Sequence, residues 1–327
     1  VITHEGALKA ISKMLTDRPE SENGTDDADG YQTPEEISVA DPETDEERVF
    51  QLHAAQVRDE ERTYIGTAVI LNDITEIRNL ERMKTEFVAI AAHELRTPMT
   101  PIKGFISMLA QDSDDSFTAE ERQEYYEIIE QNVDRLGRLI NDLLNVTRIE
   151  RGVALQLFWE EVDLTQLAES VLEVQRGMTN TDKHTLHIDP GTGPIRATVG
   201  KDQIEQVLQN LVSNAIKYSP DGGEVRVIIR DEGEANTILI GVQDQGTGIP
   251  ESAKARLFKP YLRIHNPKTA GIKGTGIGLF LVKNLIEAHQ GTIWVESELG
   301  HGTVFWFRIP RTPPAMDGTT ADACSPP

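Results

Sequence analysis

The spacing of apolar residues changes along the chain and predicts the order of its elements. Between residues 48 and 73 apolar and polar positions alternate with a period of two, which predicts two or three strands. From about residue 76 the steps become three and four, which predicts a helix with one apolar face: Leu80, Met83, Phe87 and Ile90. A second helix has the same spacing: Tyr126, Ile129, Val133, Leu136, Ile140 and Leu143. Two such helices predict a hairpin, and two hairpins would complete a four-helix bundle in a homodimer.

Residues 155–310 alternate between helical and strand patterns. Helices are predicted at Leu164–Gln175, Gln203–Lys217 and Gly278–His289, and strands at Val225–Arg230, Thr237–Gln243, Gly291–Glu296 and Thr303–Ile309. This alternation favours an α/β sandwich. The expected fold class is therefore α+β and multidomain, with a helical-hairpin dimerisation domain followed by an α/β sandwich.

Charge narrows the set of partners. The chain has 54 acidic and 32 basic residues, and its net charge is −22. Nucleic acids and anionic membranes are disfavoured, because affinity for them comes mainly from Lys and Arg that neutralise phosphates. Thirteen of the acids lie in residues 17–47 with three prolines, which predicts a solvated loop or a disordered insert; a docking tail for a basic partner is the alternative.

Cysteine content and hydropathy exclude further classes of protein. A single cysteine rules out a disulfide framework and a Cys-based zinc finger. No apolar run approaches the ~18 residues of a membrane span. We expect a cytoplasmic chain, and its first residue, Val1, leaves room for a membrane anchor further upstream.

Residues 93–98 read HELRTP and lie in the first predicted helix. His93 flanks the apolar face, so its imidazole is expected at the helix surface, with Thr97 one turn later on the same face. A neutral imidazole beside a carboxylate can act as a nucleophile, with Glu94 orienting the ring and accepting its proton. Taken alone, an ordinary exposed histidine beside a glutamate is the better interpretation.

A stripe of amides and one ammonium lies on the helix predicted at residues 203–217. Asn210, Asn214 and Lys217 share one face at steps of four and three. These groups suit a metal–phosphate cluster, although a polar stripe facing solvent has the same pattern.

Two glycine-rich segments are candidates for nucleotide contacts. Asp244 follows a strand and can accept the exocyclic amine of adenine, while Gly246 and Gly248 allow close backbone approach; a plain glycine turn is the alternative. Residues 274–279 (GTGIGL) open a helix whose free N–H groups suit phosphate. The basic residues before this segment predict a mobile lid over phosphates: Lys259, Arg263, Lys268 and Lys273.

Together these motifs resemble those of the sensor histidine kinases of two-component systems, over residues 73–310. Residues 93–98 resemble the H box, 210–218 the N box, 258–261 the F box, and 244–249 and 274–279 the two Gly boxes. Residues 48–75 resemble the last strands of a PAS sensor domain. The resemblance implies a partial PAS-like region at 1–75 with the acidic insert at 17–47, a HisKA-type hairpin at 76–152, a Bergerat (GHKL) ATP-binding domain at 153–311, and a disordered tail at 312–327.

The resemblance also implies the activity. ATP would phosphorylate His93 with Glu94 as base, and the phosphoryl group would pass to an aspartate of a separate response regulator, since no receiver domain follows residue 310. Thr97 would position water in a phosphatase reaction toward that regulator.

Nucleotide contacts carried over from the family fall on specific residues. Asn214 would hold Mg²⁺, Asn210 and Lys217 would contact phosphates, Tyr218 would pack near adenine, and Asp244 would bind its amine. The glycine-rich contacts would be Gly246, Gly248, Gly274, Gly276 and Gly278 with Leu279, and Arg263 would stabilise the transferring phosphoryl group.

Two other functions compete with this one. A scaffold or degenerate kinase would bind its partner without phosphate transfer, and intact His93, Asn214 and Asp244 argue against it. A Bergerat-fold ATPase without phosphohistidine is the second. Its hydrolytic relatives place a water-activating glutamate where this chain has Asn210, and an amide is not a base.

Overall fold

A computed structural model describes residues 35–40, 47–61, 63–111, 117–178, 183–191, 193–262 and 275–313. The chain divides into two compact units, residues 1–86 and 87–327. The predicted tail at 312–327 lies outside the described residues from 314 onward, as do the hairpin turn at 112–116 and most of the predicted lid.

The first unit contains a three-stranded antiparallel sheet. Strands β1 (Glu35–Ala40), β2 (Glu47–Arg58) and β3 (Tyr64–Asp73) pair in the order β1-β2-β3. Leu52 is fully buried, and Ile37, Phe50 and Val69 pack against it. Of the two or three strands predicted within residues 48–73, the structure has two, β2 and β3.

Strand β1 corrects the prediction of a loop over residues 17–47. Within the acidic insert, Ile37 and Val39 alternate with polar residues, and Ile37 reaches the small core beside Leu52. Glu36 lies opposite Gln51 in the ladder and accepts a hydrogen bond from Arg78 Nε at 2.9 Å. The loop prediction was wrong here because one apolar face and one ion pair stabilise a short strand despite the surrounding acids. Residues 17–34 and 41–46 lie outside the described residues.

Two long helices follow, as predicted. Helix α1 (Thr75–Ala110) begins where Asp73 Oδ1 accepts a hydrogen bond from the Thr75 N–H at 3.0 Å. Helix α2 (Ala119–Glu150) begins with a capping box, in which Thr118 and Glu121 exchange hydrogen bonds. The helices meet near their connection, where the rings of Phe105 and Tyr125 stack with centroids 5.0 Å apart.

The α/β sandwich is confirmed and is built on a mixed five-stranded sheet. Its strands are β5 (His184–Asp189), β7 (Gly223–Asp231), β8 (Thr237–Asp244), β9 (Thr292–Glu298) and β10 (Gly302–Pro310), in the order β5-β7-β8-β10-β9. The β5–β7 pair is parallel and the other pairs are antiparallel. Alternate residues of β7 and β10 are buried, so one face of the sheet lies in the core.

Helices cover that face. These are α3 (Leu164–Met178), α4 (Lys201–Lys217) and α6 (Gly278–Ala288); a short helix, α5 (Glu251–Lys254), precedes residues 255–262. Their apolar residues and the inward strand residues form one core, which includes Leu172, Leu208, Ile229, Ile240, Leu281 and Phe307. This core fixes the ends of α4, β8 and α6, which carry the N box and the two Gly boxes.

A second, two-stranded sheet was missed by the sequence analysis. Strands β4 (Trp159–Asp163) and β6 (Arg196–Gly200) pair antiparallel although more than thirty residues separate them. His289 joins this sheet to α6: its Nε2 accepts a hydrogen bond from the Gly200 N–H at 3.0 Å, and its ring contacts Trp159 edge-on at 5.3 Å. His289 therefore links the small sheet to the core helix α6.

The outer face of the sheet depends on one close approach. A Cβ at Gly241 would lie 2.3 Å from the ring of Trp306 on the neighbouring strand. Replacement Gly241→Ala is therefore expected to force the indole aside and to lower the free energy of unfolding by about 1–3 kcal/mol. Urea unfolding followed by tryptophan fluorescence measures this loss.

A matched control uses Gly233, where an added Cβ would meet no atom within 4 Å. Gly233→Ala is expected to leave the unfolding midpoint close to that of the wild type. Equal midpoints for both variants would contradict this description of the Trp306 contact.

Candidate functional site

The first candidate group lies on α1. The side chain of His93 is 55% exposed, as the sequence predicted, and its Nδ1 atom lies 3.7 Å from Oε1 of Glu94. Thr97 is also exposed, and its hydroxyl donates to the His93 carbonyl oxygen at 3.0 Å. The ring thus has one nitrogen near a carboxylate and a face open to a reactant.

Glu94 is buried, unlike its neighbour. Only 9% of its side chain is exposed, and Oε2 accepts a hydrogen bond from Nη2 of Arg135 on α2 at 3.3 Å. A buried carboxylate is costly without a counter-charge. Arg135 supplies one, and the sequence analysis did not identify it because the two residues lie on different helices.

Helix α4 carries the amide stripe. Asn210 donates from Nδ2 to the Gln206 carbonyl oxygen at 3.0 Å, and a Cβ on Gly278 would lie 3.0 Å from Asn210 Oδ1. Asn214 is half-buried, and Lys217 is the last helical residue before the exposed Tyr218. The stripe therefore begins, at Asn210, beside the glycine-rich start of α6.

Lys217 extends toward the hairpin. Although much of its side chain is accessible to solvent, its ammonium lies among many protein atoms, and this desolvation lowers its pKa. The charge of Arg135 lowers the pKa further, whereas the charge of Glu94 raises it. Lys217, Arg135 and Glu94 thus form one group of interacting charges. They are drawn from both modules, the helical hairpin and the α/β sandwich.

Asp244 ends strand β8 in a buried position. Its Oδ1 accepts a hydrogen bond from the Gly246 N–H at 2.8 Å, and its carboxylate also accepts one from the Thr303 backbone. Burial raises the pKa of Asp244 to about 6, against the lowering effect of these two hydrogen bonds. A buried acceptor at a strand end suits recognition of an amine.

The glycines after Asp244 allow the backbone to approach other backbone. A Cβ on Gly246 would lie 2.2 Å from the Tyr218 carbonyl oxygen, and one on Gly248 would lie 2.0 Å from that of Glu298. Gly248 also has a left-handed backbone, with φ at 67°. In the structure these glycines close the loop against α4 and β9.

Ser219 was missed by the sequence analysis. Its hydroxyl is buried beside Gly246 and, among the described residues, has no hydrogen-bond partner. Such an unsatisfied group, beside the glycine whose N–H bonds the Asp244 carboxylate, fits a site that binds a polar ligand. Its neighbours in sequence, Tyr218 and Pro220, gave no signal for it.

The second glycine-rich segment is described from Thr275 onward. Gly276 has a φ of 73°, Gly278 is the first residue of α6, and Leu279 is half-buried and packs on the core. Gly274 and Arg263 lie outside the described residues.

Tyr261 is a further contact between the modules that sequence reasoning missed. It has a left-handed backbone with φ at 64°, and its ring packs on Phe87 of α1 at 4.6 Å. Its hydroxyl donates to Glu150 at the end of α2. Burial, and then this carboxylate, raise the pKa of Tyr261. The residues just before the predicted lid are thereby anchored to both hairpin helices.

A metal would find few ligands in the protein itself. No group of three or more His, Cys, Asp or Glu side chains suited to a metal occurs within the part of the chain that the structure describes. Mg²⁺ in nucleotide sites is held by one or two protein oxygens together with phosphates and water. The single amide oxygen of Asn214 fits that pattern.

Comparison with known domains assigns both modules. Residues 83–152 match the His Kinase A (phospho-acceptor) domain. Residues 200–313 match the histidine kinase-, DNA gyrase B-, and HSP90-like ATPase domain.

Similar full-length proteins are sensors. The alginate biosynthesis sensor protein KinB of Pseudomonas aeruginosa is 34% identical over 75% of this chain and 40% of its own length. The sensor histidine kinase WalK of Bacillus subtilis is 30% identical over 81% of this chain and 43% of its own length. The chain belongs to the sensor histidine kinases of two-component systems. This histidine kinase spans about two fifths of the length of these relatives.

A solved structure is also similar to the histidine kinase chain. The histidine kinase ThkA in complex with the response regulator protein TrrA is 25% identical to it, with a TM-score of 0.46. That match covers 81% of this chain and 76% of ThkA.

Among the described helices of the present kinase, none is long and apolar enough to cross a membrane.

The raised pKa of Asp244 makes a prediction for the nucleotide-free kinase. The carboxyl has a pKa of about 6 when folded and an ordinary value of 3.8, so the folded protein binds more protons between these pH values. The contribution of Asp244 to stability therefore falls as pH rises through this range. Asp244→Asn is expected to exceed wild-type stability by up to about 3 kcal/mol at about pH 7, and by little at about pH 4.

Urea unfolding of both proteins at the two pH values measures this difference. Other carboxyl groups titrate in both proteins and cancel in the comparison. A stability difference that does not change with pH would contradict the raised pKa of Asp244 in the folded protein. Binding of a fluorescent ATP analogue is expected to weaken in Asp244→Asn even though that variant is the more stable.

Proposed function

We propose that this histidine kinase transfers the γ-phosphoryl group of ATP to Nε2 of His93, and then to an aspartate of a separate response regulator. The supporting observation is the group of charges between the modules. Glu94 lies 3.7 Å from the His93 ring, and its charge acts on Lys217 at the end of the candidate nucleotide site. A candidate nucleophile, base and phosphate contact therefore belong to one neighbourhood.

The position of Glu94 selects the attacking nitrogen. Oε1 is the carboxylate oxygen near Nδ1, so a proton on Nδ1 is favoured there and the lone pair remains on Nε2. In the proposed step Nε2 forms a bond to the γ-phosphorus, and the bond from that phosphorus to its bridging oxygen breaks. ADP leaves with the electron pair, and the Nδ1 proton passes to Glu94.

The nucleotide would lie between β8, α4 and the start of α6. Asp244 accepts the adenine amine, Tyr218 packs nearby, and the buried Ser219 hydroxyl gains a polar partner. Asn210 and Lys217 contact phosphates. The glycine-rich contacts, with the lid arginine, complete the site: Gly246, Gly248, Gly274, Gly276, Gly278, Leu279 and Arg263.

Asn214 would hold Mg²⁺, which supplies positive charge to the phosphates when it is bound. Asn210 donates to the backbone of its own helix and has no basic atom. Water is therefore not activated at that position, and ATP is retained until His93 approaches. This argument favours a kinase over an ATPase.

The apolar surface of the hairpin supports a homodimer. Residues of the predicted apolar series remain exposed in the single chain: Tyr126 at 57%, Val133 at 49% and Ile140 at 43%. Burying them against a second hairpin would complete a four-helix core. We propose the homodimer as the working unit, with the response regulator docking on it in trans.

Replacement Glu94→Ala is expected to abolish autophosphorylation while leaving nucleotide affinity unchanged, because the base is lost and the nucleotide site is not. The measurement is incorporation of label from γ-labelled ATP and Mg²⁺, beside wild type and His93→Gln. The label should be acid-labile and base-stable in the wild type and absent from His93→Gln.

The outcomes separate the competing functions. Label on His93→Gln, or loss of nucleotide binding in Glu94→Ala, would contradict the assigned roles. Phosphate release without labelled protein would favour the ATPase. Failure of the wild type to bind ATP would favour the scaffold.

A phosphatase activity toward the regulator is the second candidate function. Thr97 supports it, because its exposed hydroxyl lies one helical turn from His93. Thr97→Ala is expected to slow dephosphorylation of the regulator and to leave labelling of His93 unchanged. Decay of a labelled regulator mixed with each protein measures this rate. Equal decay with Thr97→Ala and with wild type would contradict the role of Thr97 in the phosphatase reaction.

A further inference from the structure

We propose that Arg135 is a positioning residue for autophosphorylation, which holds one oxygen of Glu94 so that the other faces His93. The inference rests on the proposed function, since it assigns a part in that reaction. It concerns a residue of α2 that lies outside all the sequence motifs described above.

The two oxygens of Glu94 have different neighbours. Oε2 lies 3.3 Å from Nη2 of Arg135, and Oε1 lies 3.7 Å from Nδ1 of His93. A carboxylate held at one oxygen cannot rotate freely about its terminal bond. The bond to Arg135 therefore determines where the second oxygen points.

Helix geometry alone does not bring Glu94 to His93. Consecutive residues of an α-helix diverge by about 100°, and their side chains do not face each other. The difference in exposure shows this divergence, with 55% of the His93 side chain exposed and 9% of Glu94. An anchor outside α1 is needed to hold the Glu94 carboxylate near the ring, and Arg135 is such an anchor.

The chemistry of arginine suits this task better than that of Lys217. A guanidinium is always charged and planar and holds a carboxylate in a fixed orientation, whereas an ammonium is a point charge on a flexible stem. Lys217 is also assigned to phosphate and would be engaged by it. Arg135 belongs to the same hairpin as Glu94, so it stays available at each stage of the reaction.

The test begins with Arg135→Gln, which removes the charge and keeps a side chain of polar character. We expect the maximal rate of His93 labelling to fall by roughly tenfold to a hundredfold, as for a misplaced catalytic group. The KM for ATP and the affinity for a fluorescent ATP analogue should stay within about twofold, because Arg135 is assigned no contact with nucleotide. Arg135→Lys should recover part of the rate.

Arg148→Gln is the matched control, since it removes an exposed arginine from the same helix. It should label like the wild type. Circular dichroism and thermal unfolding of each variant report whether the hairpin remains folded.

Introducing Arg135→Gln into the Glu94→Gln variant separates positioning from a general structural role. If Arg135 acts through Glu94, the second change has little further effect on the residual rate. Equal losses in both backgrounds would overturn the inference, as would wild-type labelling by Arg135→Gln. Absence of label on wild type itself would instead refute the proposed function, and this inference with it.

Discussion

A single buried carboxylate connects the chemistry of this histidine kinase to its packing. Glu94 is covered by protein, and its charge requires partners that water does not supply. Arg135 provides one from α2, and Lys217 contributes a second positive charge from the ATP-binding domain. Because the carboxylate adjoins His93, the interaction that stabilises a buried charge also determines what surrounds the exposed imidazole.

In the ATP-binding domain, by contrast, a residue of the candidate site lowers the stability of the fold when it is ionised. Asp244 is buried with a raised pKa, so burial disfavours its ionised form. The loop after it closes on α4 and β9 so tightly that only glycine fits at Gly246 and Gly248. A rigid core of sheet and helices holds this arrangement in place. The domain thereby maintains a buried carboxylate, proposed above as the adenine contact, that packing alone would disfavour.

The sequence predicted most of the architecture because its signals are local. Helical spacing, the capping box at Thr118 and strand alternation depend on residues a few positions apart, and the motifs placed His93 and Asp244 correctly on their elements. The features that sequence missed depend on distant pairs. Glu94 and Arg135 are separated by 41 positions, and Tyr261 and Glu150 by 111. Strand β1 was missed because acids and prolines outweighed its short alternation.

Phosphorus NMR of the phosphorylated kinase tests the central claim most directly, because it distinguishes the two nitrogens of phosphohistidine. In the proposed reaction the proton resides on Nδ1, the nitrogen 3.7 Å from Oε1 of Glu94, and only Nε2 is left to attack. The account therefore predicts one resonance, from Nε2-phosphohistidine, that is absent in His93→Gln. Phosphate on Nδ1, or on any residue other than His93, would contradict it.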